Sequence, residues 1–403
     1  DFAPYLYKTT DYGKSWEKIT DGIEAEHFTR VVREDPEKEG LLYAGTETGM
    51  YISFDAGENW KPFQLNLPIV PITDLALKEN NLIVATQGRS LYIIDDLSML
   101  HQAIEAEDAD AVHLYKPKDT YRMDGGSRKS NSAGTNHPSG VMTYFYLPEY
   151  DAEKDSIALT YFDAKNDTIK SYSTKGSKDK LNVKEGANQF NWNMTYDGAE
   201  RLPGMILWWA STQGPQQIPG EYTVKLNVNG TDYAQPYTVL ADPRSEATVA
   251  DMQAQFDFIS DVNETVDHAH QSIKKIRNIN TQLSAFEKQY KDNPDTKELR
   301  EKSKTLREDL EEIEKALYQT KNRSGQDPLN FPIKLTNKLA HLNSLVSMGD
   351  FAPTDQDIAV KNELTAKIDA ELNKFDTLVS DEVTAFNEAF NAMKLNYLFV
   401  EEE

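Results

Sequence analysis

A chain of 403 residues exceeds the ~250–300 at which one hydrophobic core stops growing, so two or three domains are expected. With 39% hydrophobic and 27% charged residues the composition is that of a folded protein, and the absence of cysteine excludes disulfides, thiolate chemistry and zinc–sulfur sites. The net charge of −23 argues against nucleic acid or an anionic lipid surface as partner, and no apolar run reaches the ~18 residues of a membrane span.

The first feature in chain order is a turn that occurs twice. YKTTDYGKSW sets Thr9, Asp11, Gly13 and Trp16 in the order S/T-x-D-x-G-x-x-W, and YISFDAGENW repeats it with Ser53, Asp55, Gly57 and Trp60. Glycine at 13 and 57 permits a backbone conformation that a side chain forbids, while Asp11 and Asp55 can accept from the turn's own N–H groups. Trp16 and Trp60 then cover the turn with a large apolar surface. All eight residues are therefore read as structural, and their spacing fits the ~40–50 residue period of propeller blades.

Between the two turns, FTRVVREDP reads as a strand and GLLYAGTETGMYIS as two strands around Thr48-Gly49. A third copy, ITDLALKENNLIVATQGRSLYIIDD, carries three strands with a tight turn at Asn80-Asn81, but only Asp95 and Asp96 of the motif remain. Residues 1–100 are accordingly expected to be the last blades of a β-propeller, the decayed copy closing the ring. A ring needs about four to eight blades. The opening DFAPYLYKTT has neither an initiator Met nor a signal segment. The expected partner is thus a missing N-terminal propeller portion of the same protein, present upstream or as one chain of a processed pair.

Residues 101–138 become acidic and then Gly/Ser/Asn-rich without periodicity, and are expected to form a linker along the propeller surface. Residues 139–243 read as all-β. VMTYFYL, SIALTYFDAKNDTIKSYST, NQFNWNMTY and GEYTVKLNVNGTDYAQPYTVL alternate, with turns at Ala164 to Asp167 and at Asn229-Gly230. The expected fold is an Ig-like or fibronectin-III-like sandwich of about seven strands. An insertion, LPGMILWWASTQGPQQIPG, interrupts it with adjacent Trp208 and Trp209. From residue 245 to 395 apolar residues recur at helical spacing, as in Met252, Phe256, Ile259, Val266, Ile273 and Ile276. Breaks at Asn293-Pro294 and at Ser324 to Pro328 divide an expected antiparallel bundle of three or four helices, followed by a tail over 396–403.

VATQGRSLYIIDD, HLYKPKDTYRM, NHPSGV, LPGMILWW, GEYTVKLNVNG and DPRSEATVADMQAQFDF together resemble, in that order, the C-terminal part of large bacterial proteins with sortilin-like (VPS10) BNR/Asp-box repeats. Such proteins are frequent in Bacteroidota and carry the label glycosyl hydrolase. The repeated turn resembles the Asp-box of neuraminidase and sortilin-type propellers. The resemblance implies upstream propellers, export from the cytoplasm to the periplasm, cell surface or medium, and a binding or hydrolytic role. The glycosidase label rests on the Asp-box, which is peripheral and structural in neuraminidases, and fold likeness alone assigns no chemistry.

No catalytic, metal or cofactor motif is present: neither H-E-x-x-H, G-x-S-x-G nor a P-loop occurs. Arg89, at the turn of the third copy, and Tyr92 after it are candidate ligand or interface residues, with a strap on the closing repeat as the commoner use of such an arginine. Trp208 and Trp209 are candidates for a glycan or peptide platform, or for plugging a domain interface. His268 and His270, two apart on a helix, do not face each other and are expected on its solvated surface. The run Glu105 to Asp110 lacks the ligand spacing of a calcium loop. The expected function is a non-enzymatic binding or scaffold protein of the cell envelope, with peptide, glycan or envelope proteins as partners. The alternatives are an exported glycosidase with its catalytic residues upstream, or an accessory subunit of an envelope assembly.

Overall fold

The computed structural model describes residues 1–105, 111–123 and 134–395. Most of the acidic run ending at Asp110 and the tail from 396 onwards lie outside them. The chain is mixed: its strands end at Ala241 and its long helices begin at Val249.

Strands β1 (Tyr7–Lys8) and β2 (Glu17–Lys18) pair with each other. Then β3 (Thr29–Glu34), β4 (Leu42–Thr46), β5 (Met50–Ser53) and β6 (Lys61–Pro62) form an antiparallel sheet in that order. A second sheet takes β7 (Ile72–Lys78), β8 (Asn81–Thr86) and β9 (Leu91–Ile94). The alternating apolar residues of both sheets meet in one core, with Val31, Tyr43, Met50 and Ile52 from one facing Ile72, Leu75, Leu82 and Val84 from the other. Gly45 lies at the closest approach, where a Cβ would stand 2.6 Å from Ile72 Cγ2. The β7–β8 turn falls on Glu79 and Asn80, both at positive φ, one residue earlier than expected, because Lys78 pairs with Asn81.

The repeated turns join β1 to β2 and β5 to β6 with the same hydrogen bonds. Thr9 Oγ1 donates to Asp11 Oδ1 and accepts from Gly13 N at 2.8 Å; Ser53 Oγ donates to Asp55 Oδ1 and accepts from Gly57 N at 2.9 Å. Asp11 accepts from the N–H groups of Lys14 and Ser15, and Asp55 from that of Asn59. The Ser15 N–H and hydroxyl hold the Asp11 carboxyl down to about 2, and the Asn59 amides lower that of Asp55. Both aspartates are thus committed to their own turns. In the third copy the turn is replaced by helix α1 (Ser98–Glu105), with Asp96 Oδ1 accepting from Ser98 N.

Residues 101–138 differ from the expected linker, since they supply two strands. Strand β10 (His113–Leu114) pairs with β12 (Val141–Leu147), which pairs with β15 (Gly186–Trp192). Strand β11 (Thr120–Arg122) runs parallel to β17 (Thr231–Ala241), extending a sheet of β16 (Gly220–Val228), β13 (Ile157–Phe162) and β14 (Thr168–Ser173). These strands are two or three residues long, too short for periodicity to reveal. The two sheets enclose one core, in which the rings of Tyr161 and Trp192 stack at 4.3 Å.

Helix α2 (Val249–Gln289) starts at a capping box formed by Thr248 and Asp251. It packs with α3 (Lys297–Leu317), α4 (Leu335–Val346) and α5 (Asp355–Leu378) around Val262, Val266, Ile273, Leu310, Leu339 and Ile368. A π turn over Val379–Val383 separates α5 from α6 (Thr384–Ala392), a break that the spacing does not show. No helix among the described residues is long and apolar enough to cross a membrane.

Trp60 is 3% exposed and Trp16 is 60% exposed. Trp60→Ala is expected to cost about 3–5 kcal/mol, and Trp16→Ala less than about 0.5 kcal/mol, in urea unfolding followed on the β-rich N-terminal region.

Candidate functional site

Residues 194–217 bind the sheets to the helices. Their two ends pair with each other, Tyr196 N donating to Pro215 O and Gln217 N to Met194 O. Gly198 and Gly214 allow the strands of this loop to touch, since a Cβ on Gly214 would lie 2.1 Å from Tyr196 O. The middle of the loop reaches across to the helices, where Leu202 and Met205 enter their core.

This irregular backbone is satisfied by helix side chains. Asn337 accepts from Trp208 N at 2.7 Å and donates to Trp208 O at 2.9 Å. Asn263 donates to Gln213 O, and Asn343 links Ser211 O to Asn263. Tyr318 Oη accepts from Ile206 N. His270, instead of lying in solvent, is fully buried with Nδ1 2.6 Å from Glu200 O. The loop, invisible in helical periodicity, covers that face of α2. His268 remains exposed.

Beside the loop lies a polar cavity of about 640 Å³, where the end of β11, helix α2 and the 347–350 turn meet. Arg122, 3% exposed, is its buried charge: Nη1 stands 3.0 Å from Asp350 Oδ1 and Nη2 donates to Gln255 Oε1 at 2.7 Å. Burial lowers the guanidinium pKa, against the opposing pull of Asp350. Gln255 is held in place by donating to Val346 O and Gly349 O. On the opposite rim Arg244 grips both oxygens of Asp242, whose carboxyl it lowers to about 2. Asn193, Thr195, Gln213, Gln216 and Ser139 complete the polar wall. Among the described residues the lining holds no His, Lys or Glu, and each arginine is matched by an aspartate.

Such a wall offers amide donors and acceptors at near-zero net charge, which suits an uncharged ligand rich in hydroxyls. Among the described residues its hydroxyls are those of Ser139, Thr195 and Ser347, and both its carboxylates are held by arginines. No group of three or more His, Asp or Glu among the described residues is arranged to hold a metal ion.

None of the candidate site residues named from sequence lies in this cavity, although Arg122, Ser139, Asp242, Arg244 and Gln255 fall in segments that carry the family resemblance. The eight motif residues build their own turns, as described above. Arg89 is exposed, its guanidinium 3.4 Å from the Gly88 carbonyl, and Tyr92 packs on the core of the first two sheets. The backbones of Trp208 and Trp209 are held by α4 through Asn337 and His341, while the ring of Trp209 is 76% exposed. Of the missed residues, Gln255 carried a signal. It sits between Met252 and Ile259 on an apolar helix face, where a lone amide needs a partner. Arg122 lies in a three-residue strand and carried none.

Comparison with protein-family models, with curated proteins and with solved structures returns no significant match.

Asn337→Ala leaves the Trp208 amide and carbonyl without partners and is expected to cost about 1–3 kcal/mol in urea unfolding. Burial lowers the His270 pKa below its ordinary 6.5. On acidification the unfolded chain therefore takes up this proton first, so the contribution of His270 is complete above about pH 6.5 and declines below it. The drop in unfolding free energy between pH 7.5 and 5.5 should be smaller in His270→Gln than in the unaltered chain.

Proposed function

We propose that the protein is a non-enzymatic binding or scaffold protein acting outside the cytoplasm, and that the cavity at Arg122 binds a neutral, hydroxyl-rich ligand of the saccharide class. The carrying observation is the lining itself: amides around about 640 Å³, with its two carboxylates, Asp242 and Asp350, each paired to an arginine. Cavities of this size are within the usual range for small ligands. In this reading residues 1–100 are repeats of an Asp-box propeller, and residues 139–243 an Ig-like sandwich to which β10 and β11 are added. The helices brace the sandwich and present a surface to envelope partners. The resemblance to sortilin-like BNR proteins supports both the architecture and the export.

The test is binding of a panel of neutral and acidic oligosaccharides by calorimetry, with turnover followed in parallel. A neutral saccharide should bind, and Gln213→Ala and Gln216→Ala should each weaken it by about tenfold, near 1.4 kcal/mol, without lowering Tm. Binding indifferent to both substitutions would move the site elsewhere. Cleavage of the bound sugar would replace the binding role with that of a hydrolase.

A further inference from the structure

The helical part holds a second cavity, opposite in chemistry to the one at Arg122, where the C-terminal end of α2 and the middle of α3 face α6. Its volume is about 370 Å³. One wall is a connected set of rings. Phe286 of α2 stands edge-on to Phe386 and Phe390 of α6, with centroids 5.2 and 5.8 Å away. Tyr290 lies 5.3 Å from Phe286 and 6.4 Å from Phe390. Leu283 and Leu306 continue the apolar surface.

More than half of α3 is charged, yet among the described residues no Asp, Glu, Lys, Arg or His lines this cavity. Glu287, next to Phe286, turns instead to Ser303 and Arg307, at 2.8 Å each. The polarity of the wall comes from the amides of Gln282, Gln289 and Asn387. An ion would lose its hydration there without meeting a counter-charge, so the wall selects against charged molecules. The cover is lightly held. No residue of α6 is fully buried, and the π turn over Val379–Val383 joins it to α5. Val383, the last residue of that turn, itself lines the cavity. Such π turns recur at functional sites, and an element with few buried side chains opens locally at low cost.

We propose that this cavity binds a small, uncharged, mainly apolar molecule, admitted by movement of α6 about the π turn. The rings or alkyl chain of the ligand pack on Phe286, Phe386 and Phe390, and a single hydroxyl or carbonyl meets the amides. A cavity of about 150 Å³ accepts a benzene ring, so this one accepts two or three rings or a chain of about ten carbons. The site shares no lining residue with the Arg122 cavity and is independent of the ligand proposed there.

The test uses the full chain and N-phenyl-1-naphthylamine, a neutral apolar fluorophore. One molecule should bind per chain. Decanol should displace it, and decanoate at pH 8 should do so at least about tenfold more weakly. Gln282 and Ala285 are exposed lining residues, so Q282W and A285W fill the space from its mouth rather than from the core. Each should weaken the fluorophore at least about tenfold without lowering Tm, and if one of them fails to fold the other decides. Absence of binding, binding indifferent to both substitutions, or equal displacement by decanoate would overturn the proposal. A gain of about tenfold or more on ending the chain at Leu395 would also overturn it, by making residues 396–403 the occupant.

Discussion

The constraint on which the rest depends is the burial of an irregular stretch of backbone between sheets and helices. Residues 194–217 have no regular ladder of their own, yet every N–H and C=O removed from water there needs a partner. Asn263, Asn337, Asn343, His270 and Tyr318 supply those partners from the helices. Each is a polar residue on an otherwise apolar face, which would weaken a free helix core. Their positions make sense only with the loop in place. The same arrangement joins the β-rich and helical parts and shapes the cavity, because Gly214 and Gln213 of the loop form one wall and Gln255 of α2 another.

The charges around the cavity follow a similar logic. A guanidinium as buried as that of Arg122 is tolerable only with a carboxylate and further hydrogen bonds around it. Asp350, from the turn after α4, supplies the carboxylate and Gln255 of α2 one hydrogen bond, while Nε and Nη1 make none among the described residues; the pair ties β11 to the helical part. With Arg244 closed on Asp242 at the rim, the wall carries polarity without net charge. In the proposed binding role, selectivity would rest on the geometry of amides and hydroxyls rather than on long-range attraction.

In the first part of the chain the organising unit is smaller. Each motif turn engages its aspartate with local N–H groups, so that carboxylate needs no tertiary partner. The tryptophan is the one member whose environment is decided from outside. Covered by Ile19 it becomes core, as at Trp60; without such a cover it stays exposed, as at Trp16.

Much of the fold was legible because its signals are local. Alternation located most of the strands, including β12, β13, β15 and β16, and helical spacing with the breaks at Asn293-Pro294 and Ser324 to Pro328 separated α2, α3 and α4. The motif spacing disclosed the turns, their glycines and the use of Asp11 and Asp55. Short strands such as β10 and β11, and the π turn at Val379–Val383, left no trace, since two to five residues carry no usable period. The cavity was not legible at all. Arg122, Gln255 and Asp350 are far apart in the chain, and neither composition nor spacing brings them together. The sequence by itself determined the local units: which segments form turns, strands and helices, and which side chains the turns consume. Only the tertiary structure decided which polar residues meet, because burial and pairing of Arg122, His270 and the loop backbone depend on surfaces that exist once sheets and helices have packed.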